Sequence, residues 1–130
     1  MHSYWLMSFV ALVTNRFDEV IRFYGEALGF SLVEQWDRVN ARGQRFDAGG
    51  MRLEIIDNER EQRQRELGET VDKVHIVVEV ENIDSARERI KVDAPPTQDT
   101  SWGSRLFQTR DPDGLPVTFL QWTKTESEAS

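Results

Sequence analysis

Two residues carry most of the chemical promise of this sequence: Glu54, in Leu53-Glu54-Ile55, and His75, in Val74-His75-Ile76. Each stands between apolar neighbours. Successive side chains of a strand face opposite ways, so both would leave the faces their neighbours bury. A carboxylate and an imidazole facing one cavity can share a divalent ion, or they can move a proton. His75 is the better proton carrier of the two, since imidazole titrates near neutral pH. The plainer alternatives are an ion pair of Glu54 with an arginine such as Arg45 or Arg52, and a hydrogen-bonded His75 in a cleft wall. Cysteine is absent, which excludes disulfides, thiol nucleophiles, thiolate zinc sites and cysteine-held iron-sulfur clusters.

The elements that must position these residues come in two similar sets. Phe9 to Val13 is a short apolar strand, and Asn15 to Leu28 then changes period, with Phe17, Val20, Ile21, Tyr24 and Leu28 at helical spacing. Asn15 is the expected cap and Gly29 the stop. Phe30 to Trp36 alternates Phe30, Leu32, Glu34 and Trp36 against Ser31, Val33 and Gln35, and further strands are predicted at Gln44–Ala48 and Met51–Ile56. Residues 58–70 form a polar linker of mixed charge, with room for a helical turn. The order then begins again: a strand at Val74–Val78, a helix at Asn82–Ile90 facing inward through Ile83, Ala86 and Ile90, and a polar strand near Thr97–Ser101. A hairpin of Ser104–Thr109 and Val117–Trp122 follows, turning at Asp111-Pro112-Asp113-Gly114.

Each half is thus βαβββ, the first over about residues 5–57 and the second over 71–122. Phe9 to His75 is 66 residues and Glu54 to Thr118 is 64, so the repeat pairs Phe9 with His75 and Glu54 with Thr118. The predicted class is α+β: two βαβββ modules forming a curved mixed sheet around a cleft, in a single domain over residues 1–122. The segment 123–130 lacks apolar residues and is expected to be a disordered tail.

Composition narrows the function. With 130 residues the chain is the size of one domain with a real core. Charged residues make up 30%, and no apolar run approaches the roughly 20 residues of a membrane span. No charged and apolar leader is evident at Met1–Met7. The expectation is a soluble, cytoplasmic protein without a membrane partner. The net charge of −7 repels phosphate backbones, so nucleic acid is not an expected partner. Aromatic residues are numerous: Trp5, Trp36, Trp102 and Trp122 stand beside Phe9, Phe46 and Phe107. Trp102 is the one that nothing local requires, because its surroundings, Thr100-Ser101-Trp102-Gly103-Ser104, are polar.

Several of these residues, in this order, resemble a known family. Arg22-Phe23-Tyr24 ahead of Leu28-Gly29-Phe30, Val74-His75-Ile76, and Trp102-Gly103-Ser104-Arg105 leading to Asp111-Pro112-Asp113-Gly114 are similar to the vicinal oxygen chelate superfamily. That superfamily includes glyoxalase I, bleomycin resistance proteins and extradiol dioxygenases, and the resemblance runs from Phe9 to Trp122. It implies metal ligands at the positions of Phe9, Glu54, His75 and Thr118. Here only Glu54 and His75 carry good ones. Phe9 has no lone pair, Thr118 offers a neutral hydroxyl, and a catalytic metal usually takes about three protein ligands.

The first expectation is therefore a small-molecule-binding protein similar to the bleomycin resistance type, without a complete metal site. Phe9, Trp36, Glu54, His75, Trp102 and Thr118 line its cleft, and its ligand is planar or cationic, suited to stacking and cation–π attraction. The alternative is an enzyme of the glyoxalase or dioxygenase type, a lyase, isomerase or dioxygenase. It would hold a divalent metal at an incomplete Glu54 and His75 site, with these two as its catalytic residues. A third reading is an accessory or regulatory domain that keeps the fold without the chemistry. The resemblance also implies a homodimer, with modules pairing within one chain or swapping between two.

Overall fold

The computed structural model describes residues 7–69 and 72–123. Trp5 and residues 124–130 of the expected tail lie outside them. The first half runs β1 (Phe9–Thr14), α1 (Phe17–Arg22), β2 (Ser31–Arg38), β3 (Ala41–Ala48) and β4 (Met51–Asp57). The second runs β5 (Ile76–Glu79), α2 (Ile83–Arg89), β6 (Gln98–Asp99), β7 (Ser104–Arg110) and β8 (Pro116–Trp122). Each half makes its own four-stranded mixed sheet, ordered β1-β4-β3-β2 and β5-β8-β7-β6. In both, the first strand lies parallel to the last and the other neighbours are antiparallel. The predicted pair of βαβββ modules is present.

Strand register reproduces the repeat. Ala11 lies beside Glu54 in the first sheet and Val77 beside Thr118 in the second. Those pairs are related by the same two offsets that relate Phe9 to His75 and Glu54 to Thr118. Leu53 and Ile55 are fully buried, as are Val117 and, nearly so, Phe119, while Glu54 and Thr118 leave by the other face. One continuous core joins the halves: Phe17, Val20, Phe23 and Tyr24 from the first helix, Phe46, Leu53 and Ile55 from its sheet, and Ile76, Ile83, Phe107, Val117 and Phe119 from the second half. Phe46 and Phe107 are thus core residues. No described helix is long and apolar enough to cross a membrane.

Several local expectations change. Regular α1 covers only Phe17–Arg22, and a π-helical turn, Phe23–Ala27, carries the chain on to Gly29. Gly29 has a φ of 76°, a left-handed conformation that glycine adopts without a Cβ penalty. Asn15 does not cap this helix: its side chain accepts from Asn58 Nδ2, and Arg16 holds the cap position without a side-chain bond. The second helix is capped as predicted, by Asn82 Oδ1 accepting from the Ser85 amide at 3.1 Å. The polar strand near Thr97–Ser101 shrinks to Gln98–Asp99, and β5 begins at Ile76, leaving His75 just before the strand rather than inside it. The expected helical turn in the linker is a 3-10 turn at Asn58–Arg60.

Strict alternation also fails in β2. A bulge at Val33 shifts the register, so that Leu32 lies opposite Phe46 while Glu34 lies opposite Arg45 and Trp36 opposite Gly43. Leu32 therefore shares the phase of the core face, and Glu34 and Trp36 share the phase of Glu54.

One buried polar contact ties the halves together. Tyr24 is wholly buried, and its hydroxyl donates to Asp111 Oδ2 at 2.7 Å. The other Asp111 oxygen accepts the amides of Asp113 and Leu115, each at 2.9 Å, closing the turn between β7 and β8. Burial pushes Tyr24 above its ordinary value, and the Asp111 charge adds to that. Burial likewise raises Asp111, against the hydrogen bonds that favour its charged form. Tyr24→Phe, which orphans a buried carboxylate oxygen, should cost about 1–3 kcal/mol in urea unfolding. Because the folded value of Asp111 lies above the ordinary 3.8, its contribution is complete below 3.8 and is lost as pH rises through the folded value. Asp111→Asn should remove that loss, so its stability relative to the parent should rise with pH from about 4 and then level off.

Candidate functional site

The faces opposite the core carry the candidate residues. On the first sheet the centre is Arg45, a residue named in the sequence only as a plain partner for Glu54. Arg45 and Glu54 are cross-strand neighbours, and their side chains leave on the same face. Arg45 Nη2 donates to Glu54 Oε2 at 2.9 Å and Nε donates to the same oxygen at 3.3 Å. Nη1 donates to Glu34 Oε2 at 2.9 Å. The guanidinium carbon also lies 4.4 Å from the centre of the Phe9 ring and 5.9 Å from that of Trp36, within cation–π range of both. Phe9, Trp36 and Glu54 are thus brought together, with a guanidinium as the hub.

The sequence builds this cluster in two ways. The Val33 bulge brings Glu34 and Trp36 into phase with Arg45. Gly43, opposite Trp36, leaves room for the indole: a Cβ there would run into the Trp36 ring and crowd the Ile55 carbonyl. Gly43 and Glu34 are members of this cluster that the sequence did not single out. Glu34 was visible only as a member of an alternating run.

The second sheet carries a neutral counterpart. Gln108 stands beside Thr118 as Arg45 stands beside Glu54, and Gln108 Nε2 donates to Thr118 Oγ1 at 3.0 Å. His75 is exposed; its Nε2 donates to the Asp72 carbonyl at 3.0 Å. Asp72 in turn receives a two-pronged contact from Arg110, Nη1 to Oδ1 at 2.9 Å and Nη2 to Oδ2 at 3.1 Å. The Arg110 bond holds Asp72 below the ordinary carboxylate value, against the opposing effect of desolvation. Farther along the sheet, Trp102 meets Trp122 edge to face, with ring centres 5.3 Å apart. Glu54 and His75 share no hydrogen bond among the described residues.

The donor set does not fit a catalytic metal. Among the described residues no three or more His, Cys, Asp or Glu side chains converge as a metal site would require. The buried Glu54 carboxylate already faces a fixed positive charge, which would repel a divalent ion. What the arrangement offers is an aromatic and polar surface in which one guanidinium is shared by two carboxylates, leaving a net negative charge.

Comparison with known proteins agrees with the fold. A family model described as the Glyoxalase/Bleomycin resistance protein/Dioxygenase superfamily matches residues 6–119. A glyoxalase/bleomycin resistance protein/dioxygenase from Nocardioides is similar in structure, with a TM-score of 0.71 and 22% identity over 95% of this chain and 87% of that one. TnmS3, an antibiotic binding protein from Streptomyces sp. CB03234, has a TM-score of 0.68 and 17% identity, covering 94% of this chain and 99% of its own. A lactoylglutathione lyase from Agrobacterium tumefaciens has a TM-score of 0.64 and 18% identity, covering 92% and 94%. At these identities the likeness is one of fold. No curated protein sequence matches the chain.

Removing the hub while keeping its aliphatic bulk should expose what it does. Arg45→Met leaves the buried Glu54 carboxylate without its partner and should cost about 2–3 kcal/mol in urea unfolding. Adding Glu54→Gln to that variant should recover most of the loss. A double variant no more stable than Arg45→Met would mean that the cost arises elsewhere.

Proposed function

We propose that this chain, which belongs to the Glyoxalase/Bleomycin resistance protein/Dioxygenase superfamily, binds a planar or cationic small molecule and does so without a complete metal site. The observation that carries this reading is the Arg45 cluster. Arg45 fills the place beside Glu54 that a metal would need and is flanked by Phe9 and Trp36. Phe9 stays 43% exposed, so one of these rings is open to a stacking partner. Trp102, 44% exposed on a polar loop, supplies a second surface. Thr118 on β8 and His75 just before β5 add hydrogen-bonding groups from the second half. The kinship of fold with an antibiotic binding protein supports sequestration. The likeness to a lyase is equally one of fold, and the donor set favours binding over metal chemistry.

Tryptophan emission should shift on titration with a panel of planar and cationic compounds, and Trp102→Ala should lose most of the response. Protein purified without chelator should hold well under one equivalent of divalent metal. Stoichiometric metal that disappears in both Glu54→Ala and His75→Ala would overturn this reading and favour the enzyme.

We also propose a homodimer. β1 and β5 each form one of the two edges of their sheets, and each exposes apolar side chains: Phe9 and Val10 on one, Val77 on the other. Exposed apolar edges invite pairing with another chain, and a second copy is the partner that closes symmetrically. Light scattering should give twice the chain mass at micromolar concentration; a monomer mass that does not change with concentration would contradict it.

A further inference from the structure

The Trp102 and Trp122 pair has a third member that no expectation included. Trp122 Nε1 donates to Glu79 Oε1 at 2.9 Å, bringing a carboxylate to the rim of the two indoles. Glu79 is itself exposed, and the Trp122 bond engages one of its two carboxylate oxygens. The rings are inclined at 65° and so form a corner rather than a stack. Both remain more than 40% exposed.

The corner is held from beneath. The Thr100 amide donates to the Ser104 carbonyl at 2.8 Å, the Ser104 amide to Thr100 Oγ1 at 3.1 Å, and the Thr123 amide to the Gly103 carbonyl at 3.0 Å. Gly103, at a φ of 91°, makes the tight return. These bonds fix the loop carrying Trp102 against the end of the strand carrying Trp122.

The fold itself does not call for this group. By the offsets of the repeat, Glu79 corresponds to Val13 and Trp122 to Asn58, and the first half places neither a carboxylate nor an aromatic ring there. Asn58 is instead buried and bonded to Asn15 and the Arg65 carbonyl. The second half has exposed two large aromatic rings beside a carboxylate at a place where its twin manages with ordinary packing.

We infer that Trp102, Trp122 and Glu79 form a receptor for an organic ammonium group, best a methylated one. This deepens the small-molecule reading above and rests on it, by naming the cationic part of the ligand. Indole faces are electron-rich and attract cations through their quadrupole, and each ring of this edge-to-face pair keeps exposed surface at which a cation can sit. A quaternary ammonium is large and weakly hydrated, so it gives up little solvation on contact. A metal ion would need the converging oxygen ligands that are lacking among the described residues. Glu79 adds Coulomb attraction, and the net charge of −7 favours approach of a cation.

Choline and its carbon isostere, 3,3-dimethylbutan-1-ol, separate charge from bulk. Titrated into the full 15N-labelled chain at constant ionic strength, choline should shift the indole N–H resonances of Trp102 and Trp122 saturably and bind about fivefold more tightly than the isostere. Glu79→Gln keeps an acceptor for Trp122 and removes the charge; it should weaken choline severalfold and leave the isostere unchanged. Trp102→Ala, at an exposed position, should abolish both responses. Equal binding of the two probes, indifference to Glu79→Gln, or no shift with choline would overturn the inference. A neutral planar compound that still perturbs Trp102 in that event leaves the binding reading standing; silence toward both classes removes both.

Discussion

Each sheet in this protein is covered by helix on one face, and a strand can bury only every second side chain against that cover. This constraint of period two organises the rest. Leu53, Ile55, Val117 and Phe119 go to the shared core, and the residues between them must meet something else. In the first half the something else is a charged cluster around Arg45; in the second it is a neutral amide and hydroxyl pair, Gln108 and Thr118. The two arrangements occupy equivalent positions and differ wholly in chemistry. The scaffold is duplicated while the surface it presents is not.

Period two is also what made so much of the architecture legible from sequence. Phe9, Leu53, His75 and Val117 fall in apolar runs separated by polar turns, and the matching offsets fix which strands are equivalent. The Asp111–Gly114 turn and the Asn82 cap use side-chain chemistry that acts within a few residues, so local sequence suffices for them. The π-helical turn after Arg22 and the bulge at Val33 have no such local signature. Both arise where the packing of neighbouring elements overrides the intrinsic period of the segment.

The candidate site was readable as positions and less so as partnerships. Glu54 declared itself by being a carboxylate between Leu53 and Ile55, and Arg45 could be named as one of two partners. Nothing in the chain says that one guanidinium would also meet Glu34, Phe9 and Trp36, because that depends on a bulge and on the missing side chain of Gly43. Glu79 was equally hidden. Its importance comes from Trp122, 43 residues away in sequence and brought near by the parallel pairing of β5 and β8.

The hub at Arg45 also shapes what this lineage can become. To turn Glu54 into a metal ligand, the arginine must leave first, and its departure strands a buried carboxylate between aromatic rings. Changing Glu54 first instead leaves the arginine with Glu34 as its one carboxylate partner among the described residues. Either single step descends in stability before any new chemistry can be selected. A shared cation serving four neighbours therefore admits change at the rim of the cluster while obstructing any single-step route to a metal centre at Glu54.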